Sequence, residues 1–241
     1  MKIIFLIISL VAIGTLTSCG ASDATKIFEA QHCIDTLDES VSNARLITSS
    51  ENCEAKINGV NSSQADIIRC SARFIGGGVT TERITGAFDN NDSQGAASQS
   101  NLISLLTFIT YDTGAENVAK AKAAASVCES SGQKGLIFLA SLSKIGTLVT
   151  MSSGLPTCAT TGDNICDADE LATDGGGGLT ACQTDSSNCD PAEVGNTAIL
   201  LSETYCIADN TDDPFCQQVQ AAVAAGGDSS TIGDALLDGM N

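Results

Sequence analysis

Eleven cysteines in a chain of 241 residues constrain this sequence more than any other feature. An odd number leaves one cysteine over if the others pair. If the chain is exported, the even remainder after Cys19 indicates up to five disulfides, which would fasten helices and loops to one another. The spacings do not say which cysteine joins which, and the candidates are Cys33, Cys53, Cys70, Cys128, Cys158, Cys166, Cys182, Cys189, Cys206 and Cys216.

Cys19 stands apart because it follows a short apolar segment at the start of the chain. One positive charge, Lys2, precedes an apolar run over 3–16. A membrane span needs about 20 apolar residues, so this run is short for one. A charge followed by a short apolar stretch is typical of a secretory signal, here predicted over 1–18.

The four residues Leu16-Thr17-Ser18-Cys19 resemble the lipobox of bacterial lipoproteins. The resemblance implies diacylglycerol on the Cys19 sulfur, cleavage after Ser18 and acylation of the new amino group. Each buried methylene contributes about 0.8 kcal/mol, so two or three chains would hold the protein on a membrane. The residue after Cys19 is Gly20. In such lipoproteins an Asp at this position implies retention at the inner membrane, so the resemblance here implies an outer-membrane lipoprotein that faces the periplasm or the cell surface. An ordinary cleaved signal and an uncleaved N-terminal anchor are the alternatives.

A thiolate metal site is the alternative for the other cysteines, and the spacing disfavours it. No C-x-x-C occurs, so the usual zinc spacing and the c-type haem attachment are both missing. The only histidine, His32, lies off the apolar stripe of its predicted helix and is expected at the surface.

Charge divides the chain after Lys144, its last basic residue. Residues 145–241 contain fifteen Asp and Glu, whereas 19–144 contain fourteen acidic and ten basic residues. Nucleic-acid binding requires a basic face, so we expect no nucleic-acid partner. The acidic half also disfavours lying flat on an anionic lipid surface.

Apolar periodicity indicates an all-α fold, and no alternating strand pattern of useful length appears. One helix, about 133–149, is apolar on most sides, which favours a central place in a bundle over a membrane span. The other predicted helices are about 23–46, a short one from Ser49 through Ile57, 64–75, 100–110, 115–128, one starting at Asp190-Pro191, 213–225 and 231–240.

The segment from Ala65 to Phe74 resembles the second helix of a tetratricopeptide-like hairpin. That resemblance covers about thirty residues and implies a protein-binding scaffold, which we place at 23–150, after a lipidated N-terminus and tether at 19–22. Residues 151–241 are expected to form a loop-rich, acidic, cysteine-rich cap with helices, stapled by disulfides.

Clustered carboxylates provide one candidate for a ligand site. Oxygen-rich loops suit Ca²⁺, although the spacing does not fit an EF-hand, and ordinary acidic loops are the alternative. The candidate ligands are Asp163, Asp167, Asp169, Glu170 and Asp174.

Catalytic motifs are absent from the sequence. It contains no G-x-S-x-G, no H-E-x-x-H and no phosphate-binding glycine loop with Lys. We therefore expect no enzyme and no firm cofactor. The predicted role is structural or protein-binding at the cell envelope, through an unknown protein partner and the lipid anchor. A Ca²⁺-dependent module is the alternative.

Overall fold

The computed structural model describes residues 22–89, 103–152, 178–184, 189–207, 210 and 212–240. All regular secondary structure in these residues is helical, so the predicted all-α fold is confirmed. The helices are α1 (Asp23–Asp35), α2 (Asn43–Ala55), α3 (Ser63–Gly76), α4 (Thr81–Asp89), α5 (Gly114–Ser130), α6 (Lys134–Ser152), α7 (Pro191–Thr204), α8 (Pro214–Ala225) and α9 (Ser229–Gly239). Short helical turns also occupy 103–105 and 178–184.

Most helix starts follow from local side chains. Asp213 precedes Pro214 and accepts hydrogen bonds from the backbone N–H groups of Phe215 and Cys216, at 2.9 and 3.1 Å. Asp190 accepts from the N–H of Glu193 at 3.3 Å. A capping carboxylate followed by proline leaves few unsatisfied donors in the first turn, which is why both predicted starts are confirmed.

The helix predicted over 23–46 is wrong, because α1 already ends at Asp35. The short helix predicted from Ser49 begins earlier, as α2 at Asn43. The hydroxyl of Thr36 donates to the carbonyl of His32 at 2.8 Å. The carboxylate of Asp38 accepts from the backbone and the hydroxyl of Ser40 at 3.0 and 2.6 Å. Short polar side chains thus replace helical hydrogen bonds over this stretch.

Helix α6 lies at the centre of the main core. It is long and apolar enough to cross a membrane, with a mean hydropathy of 1.5, but 67% of that stretch is buried inside the protein; only the described residues were searched. Leu142 and Ile145 have no exposed surface and pack in a cluster that reaches from α3 to α9. The predicted central position is confirmed.

The helix predicted over 100–110 is largely wrong. Residues 103–105 are helical, and 107–113 form an irregular connection, much of it buried. The N–H of Phe108 donates to the hydroxyl of Thr147 on α6 at 2.9 Å, and Ser143 donates to the carbonyl of Leu106. The N–H of Ile109 donates to the carbonyl of Gly77 at 3.1 Å. These bonds satisfy a buried backbone without helix, as buried polar groups require.

Disulfides join neighbouring elements throughout the described part of the chain. Each described cysteine is paired, and the bonds are Cys33–Cys53, Cys70–Cys128, Cys182–Cys189 and Cys206–Cys216. The first joins α1 to α2 and the second joins α3 to α5. Cys158 and Cys166 lie outside the described residues.

Helices α7 and α9 meet backbone to backbone. A Cβ on Gly195 would overlap the carbonyl oxygen of Ser229, and a Cβ on Gly233 would overlap the carbonyl oxygen of Pro191. Glycine is required at both positions because no side chain fits between the two helices. Leu201 and Leu236, both fully buried, extend the same core on either side.

Candidate functional site

A cavity with a volume of about 400 Å³ lies among α2, α3, α5 and the connection 107–113. We call it the charged cavity. Its polar walls carry two acidic and two basic side chains, a phenol and a hydroxyl, which are Glu51, Glu54, Arg73, Lys120, Tyr111 and Ser50. Its size falls within the range of about 300–1,000 Å³ that is usual for small-molecule sites.

Glycines at the end of α3 shape one side of this cavity. A Cβ on Gly77 would overlap the ring of Phe108, and a Cβ on Gly76 would lie 2.5 Å from the hydroxyl oxygen of Ser50. The hydroxyl of Thr110 donates to the carbonyl of Gly76 at 2.5 Å. The connection can therefore lie directly on the end of α3 only because these positions lack side chains.

Arg73 and Glu54 form a fixed ion pair in the cavity wall. The Nη2 and Nε atoms of Arg73 lie 2.8 and 3.2 Å from Oε1 of Glu54. Its Nη1 donates to the carbonyl of Ala123 at 3.0 Å. One guanidinium thus joins α3 to both α2 and α5 and uses most of its donors within the protein.

Lys120 and Glu51 form a looser pair at the mouth. Their charged atoms are 3.6 Å apart, and their side chains are 42% and 60% exposed. Lys120 Nζ also lies 4.9 Å from the centre of the Tyr111 ring, which is within cation–π range. Among the described residues we find no hydrogen bond to the Lys120 ammonium, the Glu51 carboxylate or the Tyr111 hydroxyl, so these groups retain their capacity to bind a ligand.

Tyr111 is a neutral hydrogen-bond donor at physiological pH. Burial, and then the negative charges of Glu51 and Glu116, raise its pKa to about 12. The phenol therefore keeps its proton throughout the neutral pH range.

Arg83 on α4 supports the turn beneath the cavity. Its Nη1 donates to the carbonyl of Gly78 at 2.5 Å and its Nη2 to that of Thr107 at 2.9 Å. Burial lowers the pKa of Arg83 to about 9, so it stays charged at neutral pH. Its buried Nε has no hydrogen-bond partner among the described residues. Sequence reasoning missed this residue, since α4 was not predicted.

A second cavity, of about 170 Å³, lies among α5, α6 and α7. Lys122 bonds to Asp190 at 3.0 Å, and Lys144 pairs with Glu193. These pairs attach two of the last three basic residues of the chain to the acidic half. The volume is below the usual range for ligand sites, so we assign it a structural role.

The lipidation site and the calcium site predicted from sequence fall outside the described residues. Cys19 is outside the described residues, as are the candidate calcium ligands Asp163, Asp167, Asp169, Glu170 and Asp174, so both hypotheses stay predictions. Within the described residues, no cluster of three or more His, Cys, Asp or Glu could hold a metal ion. His32 is exposed on α1, as expected. The sequence predicted helices over 64–75 and 115–128, which carry Arg73 and Lys120, but it gave no signal that these side chains line a cavity.

Comparisons with known proteins do not assign this chain to a family. No protein-family model, no curated protein and no solved structure matches it.

Proposed function

We propose that this protein is an extracytoplasmic lipoprotein, anchored through Cys19, whose helical body binds a partner at the bacterial cell envelope. The observation that carries the proposal is the pairing of every described cysteine in a disulfide. Disulfides of this density persist in oxidising compartments outside the cytoplasm. If Cys158 and Cys166 pair as well, Cys19 is the one cysteine left for the lipid.

The structure of α6 supports anchoring by lipid rather than by this helix. Ser143 donates to the carbonyl of Leu106, Thr147 accepts from the N–H of Phe108, and Lys144 pairs with Glu193 on α7. These polar groups have partners inside the protein, whereas lipid around a membrane-spanning helix would offer them none.

The position of α1 supports a body that lies close to the bilayer. Only residues 20–22 separate Cys19 from Asp23, where α1 begins. Phe28 on α1 is 72% exposed and is the only exposed large apolar side chain among the described residues. An exposed aromatic side chain close to a lipid anchor suits the boundary between water and lipid.

Partner binding is supported by the charged cavity, which is placed on α2, α3 and α5. Its looser ion pair and its phenol have unsatisfied hydrogen-bonding groups at an open mouth. Such convergent polar groups in a concave site are the usual features of a binding site.

Mass spectrometry of the membrane-extracted protein tests the anchor and the compartment together. We expect an acylated Cys19 at the mature N-terminus and a gain of ten hydrogens when the other ten cysteines are reduced. Cys19→Ser should release the protein from the membrane, whereas Ser18→Ala, which keeps a small residue before the cysteine, should not. An unmodified Cys19 or free thiols in the extracted protein would refute the proposal.

A further inference from the structure

We propose that the end of the body at which α1 begins is a membrane-contact surface, where lysines without an ion pair meet the headgroups of anionic phospholipids. We call it the anchor-proximal end. It consists of the start of α1, the turn 56–62 between α2 and α3, and residues 131–134, which lead into α6. This inference rests on the proposed anchor at Cys19 and deepens it, because it states which face of the body meets the bilayer.

Hydrogen bonds bring the three segments of this end together. The ammonium of Lys26, the fourth residue of α1, donates to the carbonyl of Asn58 at 3.4 Å. The hydroxyl of Ser63, where α3 begins, donates to the carbonyl of Ser131 at 2.5 Å. The start of α1 therefore lies beside the turn 56–62, and the other side of that turn adjoins residues 131–134.

The proposed anchor is close to this end by covalent geometry alone. Cys19 precedes Asp23, the first residue of α1, by four positions. An extended chain spans at most about 3.6 Å per residue, so Cys19 lies within about 14 Å of Asp23. Acyl chains that hold Cys19 at the bilayer surface therefore keep the start of α1 next to the headgroups.

Basic side chains without an ion pair are concentrated at the same end. In the part of the chain that the structure describes, the basic residues with an ion pair are Arg69, Arg73, Lys120, Lys122 and Lys144. Arg83 is buried. The others described are Lys26, Arg45, Lys56 and Lys134, all at least partly exposed and outside these pairs. Three of these four, all except Arg45, belong to the anchor-proximal end.

Carboxylates near these lysines rank their expected contributions. Asp23 and Glu129 are exposed at this end. Asp213 precedes Pro214 and Phe215 at the start of α8, and the ring centre of Phe215 lies 6.2 Å from that of Phe138, one turn beyond Lys134 on α6. Lys134 therefore has more negative charge around it than the two lysines beside α1, and we expect it to contribute least.

The net charge of the protein makes these lysines decisive for orientation. The whole chain has a formal net charge of −18, so an anionic bilayer repels most of its surface. A lysine close to such a surface favours contact by about fivefold. Contact through Lys26 and Lys56 is thus the orientation that an anchored protein gains from, and it agrees with the position of the anchor.

Amine acetylation of the lipoprotein on vesicles tests the orientation. The protein is extracted from membranes in detergent and added to preformed vesicles, made either of phosphatidylcholine alone or of equal parts of phosphatidylcholine and phosphatidylglycerol. Protein bound to vesicles is recovered by flotation. The acetylation rate of each lysine is then measured by mass spectrometry of proteolytic peptides.

We expect Lys26 and Lys56 to be acetylated at least about fivefold more slowly on the phosphatidylglycerol vesicles than on phosphatidylcholine alone. Lys134 should be slowed less. Lys120 is the internal control: its side chain is 42% exposed, and it lies ten residues before Ser130 on α5, about 15 Å from this end. Its rate should be the same on both vesicles. High salt should remove the difference at Lys26 and Lys56, because salt screens the attraction between exposed charges.

A pair of variants separates this surface from basic charge in general. Lys56→Gln should weaken the contact about fivefold, which reduces the slowing at Lys26 to about twofold. Arg45→Gln removes an exposed charge about 16 Å away, at the opposite end of α2, and should leave the slowing at Lys26 unchanged. Thermal melting checks that both variants are folded, since both side chains are exposed.

Two outcomes would overturn the assignment: equal acetylation of Lys26 and Lys56 on both kinds of vesicle, or an undiminished slowing at Lys26 in Lys56→Gln. Failure of the proposed function gives a different result. A protein without acyl chains on Cys19 would not float with phosphatidylcholine vesicles, and both proposals would then fall. An anchored protein that meets the bilayer through another face would float but show no slowing at Lys26 and Lys56.

Discussion

The helices around the charged cavity and the C-terminal helices α7–α9 are held together in different ways. Around the cavity, long side chains reach between helices, as when Arg73 contacts both Glu54 and Ala123. Between α7 and α9, glycines bring the backbones into contact. Long polar bridges leave room between elements and close packing does not. The difference explains why the large cavity lies in the first region.

Cross-linking differs between the two regions as well. Cys70–Cys128 joins α3 to α5, two of the helices around the charged cavity, across 58 residues, whereas Cys206–Cys216 closes only 10. A covalent bond between distant segments restricts the unfolded chain more than a local one does. The region with the open cavity is therefore the one that gains most from its disulfide.

Removing the long disulfide should produce the largest change. We expect Cys70→Ser with Cys128→Ser to lower the free energy of unfolding by about 4 kcal/mol, because a long loop is released. Replacing Cys206 and Cys216 by serine should lower the free energy of unfolding by roughly 1.5 kcal/mol less than that. Urea denaturation measures both. Equal losses would show that loop length does not set the contribution of these bonds.

Adding a methyl group where α7 meets α9 should produce the second-largest loss in the free energy of unfolding. Gly195→Ala places a Cβ on the backbone of Ser229, so we expect a loss of about 3 kcal/mol, at the upper end for overpacking. Gly135→Ala is the matched control, since nothing lies within 4 Å of that added Cβ on α6. It should raise stability by about 0.5 kcal/mol. A tolerated Gly195→Ala would mean that the helices can separate.

Breaking the fixed pair should have an intermediate effect. We expect Arg73→Gln to lower the free energy of unfolding by about 1–2 kcal/mol, because the side chains of Arg73 and Glu54 are only 32% and 22% exposed. Lys120→Gln, at the looser pair, should change it by less than about 0.5 kcal/mol. Thermal melting of both variants tests the ranking, and the reverse order would contradict the distinction between a fixed and a loose pair.

Acidification should have the smallest effect. The backbone N–H and then the hydroxyl of Thr231 lower the pKa of Asp228, at the start of α9, from its usual 3.8. Its contribution is therefore present above about pH 4 and lost as the pH falls through the lowered value in the folded state.

Asp228→Asn tests this contribution because it keeps a side-chain oxygen for the Thr231 donors but does not titrate. The urea midpoint of this variant should fall less on acidification than that of the wild type. Glu29→Gln, at an exposed carboxylate of α1, is the control and should behave as the wild type. Identical acid dependence in Asp228→Asn and the wild type would exclude the capping contribution.

Features fixed by neighbouring residues could be predicted from the sequence. The capping of α7 and α8 by Asp190 and Asp213 depends on atoms within three residues, and both starts were predicted. The salt bridge between Asp66 and Arg69, 2.8 Å apart, likewise joins residues only three positions apart on one helix.

Features fixed by distant residues could not be predicted. The connection 107–113 takes its hydrogen bonds from Gly76, Gly77 and Thr147, so its own periodicity wrongly indicated a helix. The charged cavity combines three helices with this connection and has no motif of its own. Disulfide pairing was undetermined for the same reason, since spacing does not encode contact.

The bond between Cys33 and Cys53 has a mechanical consequence for a protein held by its N-terminus. Tension applied at residue 22 passes along α1, which rests on α3 and on the turn before it through a small apolar cluster that includes Ala30, Ile57 and Ala65. Without the bond, such a pull would peel α1 away first. With it, the force would pass through a covalent link into α2, so α1 would stay joined to the body if the chain is anchored at Cys19 as proposed.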